Sequence, residues 1–94
     1  MYTIQAISAV KKDIKKLPPE VRTLVKEVHL PRIKQNPRLG LPLKPPFKGL
    51  RSYHFSHKGV QYRIVYEIDK AEKIIYILMI ASRERFYERL RKRI

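Results

Sequence analysis

The sequence predicts a small α+β domain ordered β-α-α-β-β-β-α, with a helical hairpin on one face of an antiparallel four-stranded sheet. Three observations carry that expectation. A short alternating segment is followed by two stretches with helical apolar spacing. The middle of the chain is dense in proline. The second half holds apolar runs with two-residue alternation, separated by turn residues. At 94 residues the chain is expected to form one domain over residues 1–94.

Tyr2, Ile4 and Ala6 alternate with Thr3 and Gln5, the pattern of a strand. Ser8 is placed to cap a first helix, whose apolar face is Val10, Ile14 and Leu17 and which Pro18-Pro19 ends. Pro19 suits the first turn of a second helix, with Val21, Leu24, Val25 and Val28 on one face and Pro31 as its kink or stop. Pro31, Pro37, Pro42, Pro45 and Pro46, with Gly40, predict a stretch without regular elements. Leu50 to Ser56 reads as a strand, and His57-Lys58-Gly59 as its turn. Gln61 to Asp69 follows, with Tyr62, Ile64, Tyr66 and Ile68 on one face and Arg63, Val65 and Glu67 on the other. Lys73 to Ala81 is apolar on both faces, as in a central strand. Ser82 is then expected to cap a basic helical segment, Arg83 to Ile94. The helices cover one sheet face, and the other face is expected to be free.

Lys plus Arg number 22 against 8 Asp plus Glu, a formal charge of +14, while 44% of residues are hydrophobic. That is too apolar for a disordered basic tail and too basic to be kept without a polyanionic partner. The absence of cysteine excludes a disulfide scaffold, a thiolate metal site and a cysteine nucleophile. His29, His54 and His57 are too few for a convincing zinc site, so no metal and no cofactor are expected. Ile74 to Ala81 is the longest apolar run, far short of the roughly 20 residues of a membrane span. Met1 to Gln5 lacks the basic start of a signal peptide, and a cytoplasmic protein is expected.

Four segments together resemble the RelE/ParE toxins of bacterial and archaeal toxin–antitoxin systems. They are Gly40-Leu41-Pro42-Leu43-Lys44, Gly49-Leu50-Arg51-Ser52-Tyr53, Tyr62-Arg63-Ile64-Val65-Tyr66-Glu67-Ile68 and Ile80-Ala81-Ser82-Arg83-Glu84-Arg85-Phe86-Tyr87. The resemblance implies a cognate antitoxin wrapped around the toxin in a hetero-oligomer. It also implies one of two toxic acts: cleavage of messenger RNA on the ribosome without metal, or poisoning of DNA gyrase.

Metal-free RNA cleavage requires removal of the ribose 2′-OH proton, stabilisation of a phosphorane-like transition state, and help for the 5′-oxygen leaving group. The resemblance carries catalytic arginines over to Arg63 and Arg83, where a planar guanidinium suits phosphate oxygens. It carries a base-stacking or proton-shuttling tyrosine to Tyr87, four residues after Arg83. Well-known relatives hold two lysines on the strand from Leu50, where this chain has His54 and Ser56 on one face by period two. His54, with a pKa naturally near neutrality, is the candidate general base. His57, Lys58, Arg51, Arg85 and Arg89 are assigned to RNA backbone. Glu67 reads as a surface ion-pair partner of Arg63, and His29 as structural.

The first reading is therefore a ribosome-dependent mRNA endonuclease that inhibits translation. The alternatives are a ParE-like gyrase inhibitor without catalysis, which needs no base, and an inactive homologue, to which the departure at His54 and Ser56 would belong.

Overall fold

The computed structural model describes residues 1–94. In chain order it contains β1 (Thr3–Ala6), α1 (Ser8–Lys16), α2 (Pro19–Leu24), a π-helical turn (Val25–His29) and α3 (Leu30–Gln35). A 3-10 turn (Pro37–Leu39), β2 (Leu41–Pro42), β3 (Leu50–His57), β4 (Val60–Asp69), β5 (Ile74–Ser82) and α4 (Phe86–Arg93) follow.

The sheet has five strands in the order β1-β5-β4-β3-β2, and it is mixed. This corrects the expected antiparallel four. β1 lies parallel to β5, Thr3 opposite Ile74 through Ala6 opposite Ile77. The added strand is β2, where Leu41 and Pro42 pair with Ser52 and Arg51. Pro42 lacks an N–H, and an edge strand is where a proline is tolerated.

Two helical expectations also change. Ser8 is the first residue of α1 and Ile7 occupies the cap, without a side-chain cap bond. Pro31 does not end the second helix. It lies in the first turn of α3, immediately after the π turn. A proline removes one N–H and its ring crowds the carbonyl four residues back. That carbonyl belongs to Glu27, inside the π turn, where the wider winding makes room.

The main core lies between α1–α3 and one sheet face. Val10, Leu17, Val21, Val25 and Ile33 meet Tyr53, Phe55, Tyr62, Ile64, Tyr66, Ile75, Ile77 and Ile80. The shift from odd to even numbering along β5 comes from a bulge: Val65 pairs with Met79, but Tyr66 pairs with Ile77. His29 is buried in this core, stacked on Phe55 at 4.0 Å, with Nδ1 2.8 Å from the Tyr53 hydroxyl.

The opposite face is not free. Phe47, Leu50, Val65, Met79, Ala81, Phe86 and Leu90 form a second cluster there, so α4 and the proline loop cover part of it. Neither segment looks apolar enough in isolation, because each contributes only one or two large side chains.

Two polar devices hold these layers in place. Asp13 shares the buried face of α1 with Val10 and Leu17, three and four residues away. Its Oδ2 accepts from the Ile80 N–H at 3.0 Å, and its carboxylate takes both Nη groups of Arg93 at 2.6 and 2.9 Å. Arg93 also donates to the Leu78 carbonyl. β1 pairs with β5 only as far as Ile77, so this ion pair caps the backbone that β1 leaves open and ties α4 to α1.

The second device is Tyr66, whose hydroxyl donates to the Pro37 carbonyl at 2.6 Å and accepts from the Gly40 N–H at 2.8 Å. A Cβ on Gly40 would stand 2.6 Å from that oxygen, so glycine is required there. Tyr66→Phe removes both bonds and leaves two polar groups beneath the proline loop unpaired. It should lower unfolding free energy by about 1–3 kcal/mol in urea denaturation.

Burial, and secondarily the charge of Arg32, pushes the His29 pKa below its usual 6.5, and partial desolvation, with the charge of Arg63, does the same to the more exposed His54. The unfolded chain therefore binds more protons than the native one just below pH 6.5. Stability is complete above that value and is lost as pH falls through the depressed native pKa values. The urea midpoint should be lower at pH 5.5 than at pH 8. An unchanged midpoint would contradict the buried, neutral state of His29.

Candidate active site

Period two sorts β3 cleanly. Arg51, Tyr53, Phe55 and His57 point toward α1–α3, while Leu50, Ser52, His54 and Ser56 point to the other face. On that second face His54 stands opposite Arg63, and Arg63 opposite Ala81. This row runs across three strands between the proline loop and α4.

A groove of about 480 Å³ opens beside it. Leu41, Pro42, Leu43, Pro45 and Phe47 form an apolar wall, and Ser52, His54, Tyr87, Lys44 and Arg91 supply the polar groups. Arg63 is half-buried, its guanidinium carbon 5.6 Å from the Phe86 ring centre and 5.2 Å from that of Tyr87. The first turn of α4 thus fixes the orientation of Arg63 through cation–π contacts. Tyr87 is 44% exposed and its ring lies against Phe47 at 5.9 Å, leaving an aromatic edge at the groove. His54 is exposed, with Nε2 3.0 Å from the Ser52 hydroxyl. Its lowered pKa keeps the imidazole neutral, hence able to accept a proton, at pH 7.

His54, Arg63 and Tyr87 therefore meet on one face. Arg83 lies one step along it. Ser82 ends β5 and does not cap the helix, and Arg83 sits in the following bend, its N–H bonded to the Gln61 carbonyl at 2.9 Å. It lines a neighbouring hollow with Gly59, Val60, Gln61 and Glu84. The helix begins only at Phe86, with Arg85 at the cap in a left-handed conformation, φ 51°. Arg83 and Tyr87 are thus not on one helical face, and the expected four-residue spacing does not apply to them.

The other residues assigned to RNA backbone lie elsewhere. His57 and Lys58 reach to the opposite side, where Glu20 holds them at 2.8 and 3.0 Å. Those two partners hold the Glu20 carboxyl below the usual range. Arg51 donates to the Gly40 carbonyl at 2.6 Å and to that of Arg38 at 3.3 Å, stapling the proline loop to β3. Arg85 is exposed ahead of α4, and Arg89 lines a hollow with Lys16, Ser82 and Tyr62. Glu67 stands opposite Leu50 and Tyr76, well along β4 from Arg63. Lys44 and Ser52 are groove residues that the sequence does not single out, and Arg91, one of the basic residues of the last segment, joins them. Arg91 was findable as the residue four after Tyr87 on a helix, and Ser52 as the residue two before His54 on a strand. Lys44 follows from the loop's path alone.

Comparison with known proteins agrees with this architecture. The pattern of the ParE-like toxin family, described as a toxin of type II bacterial toxin–antitoxin systems, matches residues 4–91. Toxin RelG of Mycobacterium tuberculosis is 30% identical over 89 residues, covering 94% of this chain and 98% of the relative. Toxin RelE of the same organism is 31% identical over 87 residues, covering 92% and 86%. Among solved structures, the toxin–antitoxin complex RelBE2 of M. tuberculosis superposes with a TM-score of 0.74 at 30% identity, covering 87% of this chain and 98% of that one. A double mutant of E. coli toxin RelE in the free state gives 0.73 at 21% identity, covering 99% and 97%, a likeness of fold. With a family match along nearly its whole length and curated relatives that are toxins, this chain belongs to the RelE/ParE superfamily, as a toxin of a type II toxin–antitoxin system.

Proposed function

We propose that the chain is a ribosome-dependent mRNA endonuclease that acts without metal and is neutralised by a cognate antitoxin. The observation that carries this reading is the row His54–Arg63 with Tyr87 at the edge of one groove: a neutral imidazole, a fixed guanidinium and an exposed phenol on one partly covered sheet face. In the proposed reaction His54 takes the 2′-OH proton and the 2′-oxygen attacks phosphorus. The P–O5′ bond breaks, and Tyr87 returns a proton to the 5′-oxygen, leaving a 2′,3′-cyclic phosphate and a 5′-OH. Arg63 and Arg83 stabilise the charge that builds on the phosphoryl oxygens.

Charge supports the same substrate. Of the lysines and arginines only Lys58 and Arg93 pair with carboxylates, so most of the +14 excess faces solvent. Such a surface binds RNA backbone without reading sequence, and binding falls steeply with salt. The antitoxin follows from the toxin–antitoxin complexes among the structural neighbours, and a basic toxin suits an acidic wrap.

The test is the purified toxin added to ribosomes programmed with a defined message, with naked message alongside and breaks mapped by primer extension. Breaks at the A-site codon that require the ribosome are expected. Intact message together with gyrase–DNA covalent adducts would replace this reading by gyrase poisoning.

A further inference from the structure

Ser52 is 2% exposed, on the floor of the groove, and its Oγ lies 3.0 Å from Nε2 of His54. No other side-chain hydrogen bond fixes the His54 ring. Nε2 is thereby turned to the floor, and Nδ1 is the nitrogen left to meet a substrate. A ring nitrogen accepts a proton only when it carries the free lone pair, and which nitrogen does so is set by the bond made by the other.

We propose that Ser52 is a positioning residue, that its hydroxyl accepts the Nε2–H of His54, and that Nδ1 is the atom that removes the 2′-OH proton. This rests on His54 being the base, as argued above. The arrangement serves both states of the ring. In the neutral form Ser52 selects the tautomer with the lone pair on Nδ1. After proton transfer the same Nε2–H bond becomes charge-assisted and steadies the imidazolium.

The geometry accounts for a serine at a buried strand position between Leu50 and His54. Its neighbours across the ladder are Leu41 and Val65, neither of which offers a side-chain polar partner. The charged and titratable groups around His54 are Arg63 from β4, Lys44 from the loop, and Tyr87 and Arg91 from α4. Desolvation and the charge of Arg63 disfavour an imidazolium. A positioned acceptor on Nε2 is the local group that acts in the opposite sense.

The test uses the full-length toxin with ¹⁵N-labelled histidine and single-turnover cleavage on programmed ribosomes. The ring nitrogen shifts of His54 at pH 8 should report the Nε2–H tautomer in the wild type and a mixture in Ser52→Ala. The single-turnover rate of Ser52→Ala at saturating toxin should fall about tenfold, with the toxin concentration for half-maximal rate little changed. Ser52→Thr, which keeps the hydroxyl, should restore both. A wild-type ring found as the Nδ1–H tautomer, or a Ser52→Ala toxin with unaltered tautomer and cleavage rate, would overturn the proposal. His54→Ala separates the two inferences: if it cleaves normally, His54 is not the base, while the nitrogen shifts still decide whether Ser52 sets its tautomer.

Discussion

Arg63→Ala should lower single-turnover cleavage about 10²–10³-fold, the usual consequence of removing one preorganised donor to a developing oxyanion. Fold stability should change little. Arg63 is half-buried and contributes cation–π contacts with Phe86 and Tyr87, an effect of roughly 0.5–1 kcal/mol at such a site. The loss of rate would therefore not be explained by unfolding. Arg63→Lys keeps the charge but not the planar fork, and should recover only part of the rate. Removing the guanidinium also removes one cause of the lowered His54 pKa. The acidic limb of any residual pH–rate profile should then move to higher pH. A toxin that cleaves at the wild-type rate with Arg63 replaced by alanine would remove phosphate stabilisation from this face of the sheet.

The largest expected effect on stability is at Asp13, far from the groove. Asp13→Ala leaves Arg93 without its carboxylate and the Ile80 N–H without its acceptor, both at the open edge of β5. Breaking a buried pair by removing one partner costs about 3–5 kcal/mol, against a total of roughly 5–15 kcal/mol for a domain. A large drop in the urea midpoint is expected. Arg93→Ala should also be strongly destabilising, because it leaves the Asp13 carboxylate, 2% exposed, with the Ile80 N–H as its one remaining partner. The double mutant should be less destabilised than the sum of the two, since the pair acts as a unit. A change below about 1 kcal/mol in Asp13→Ala would show that the ion pair does not hold α4 to the sheet.

These two sites also show what was legible in the sequence. The strand alternation Tyr62, Ile64, Tyr66, Ile68 placed β4 correctly and left Arg63 on the opposite face, because period two depends only on local geometry. Pro18-Pro19 separated the first two helices for an equally local reason. Asp13 looked like one charge among the lysines of α1. Its role depends on β1 stopping at Ala6 and on Arg93 arriving from the far end of the chain. The parallel pairing of β1, the pairing of β2 and the second core under α4 are likewise long-range contacts, with no periodic signature of their own.

The site divides in the same way. His54 opposite Arg63 follows from strand parity and hairpin register, because the turn at Lys58-Gly59, with positive φ at both residues, sets the pairing of β3 and β4. Tyr87 reaches the groove because α4 begins at Phe86, after a bend that no helix signal in Ser82-Arg83-Glu84-Arg85 announces. The same bend places Arg83 in a separate hollow with Gln61 and Glu84. His57 faces away from the groove by strand parity, and both it and Lys58 meet Glu20 on that other side.

The most direct measurement is single-turnover cleavage of a ribosome-bound message carrying one 2′-deoxynucleotide on the 5′ side of the scissile phosphate. If His54 drives attack by the ribose 2′-oxygen, cleavage at that phosphate should vanish, and the all-ribose message should yield a 2′,3′-cyclic phosphate end. Cleavage of the deoxy-substituted message at the normal rate would contradict the account.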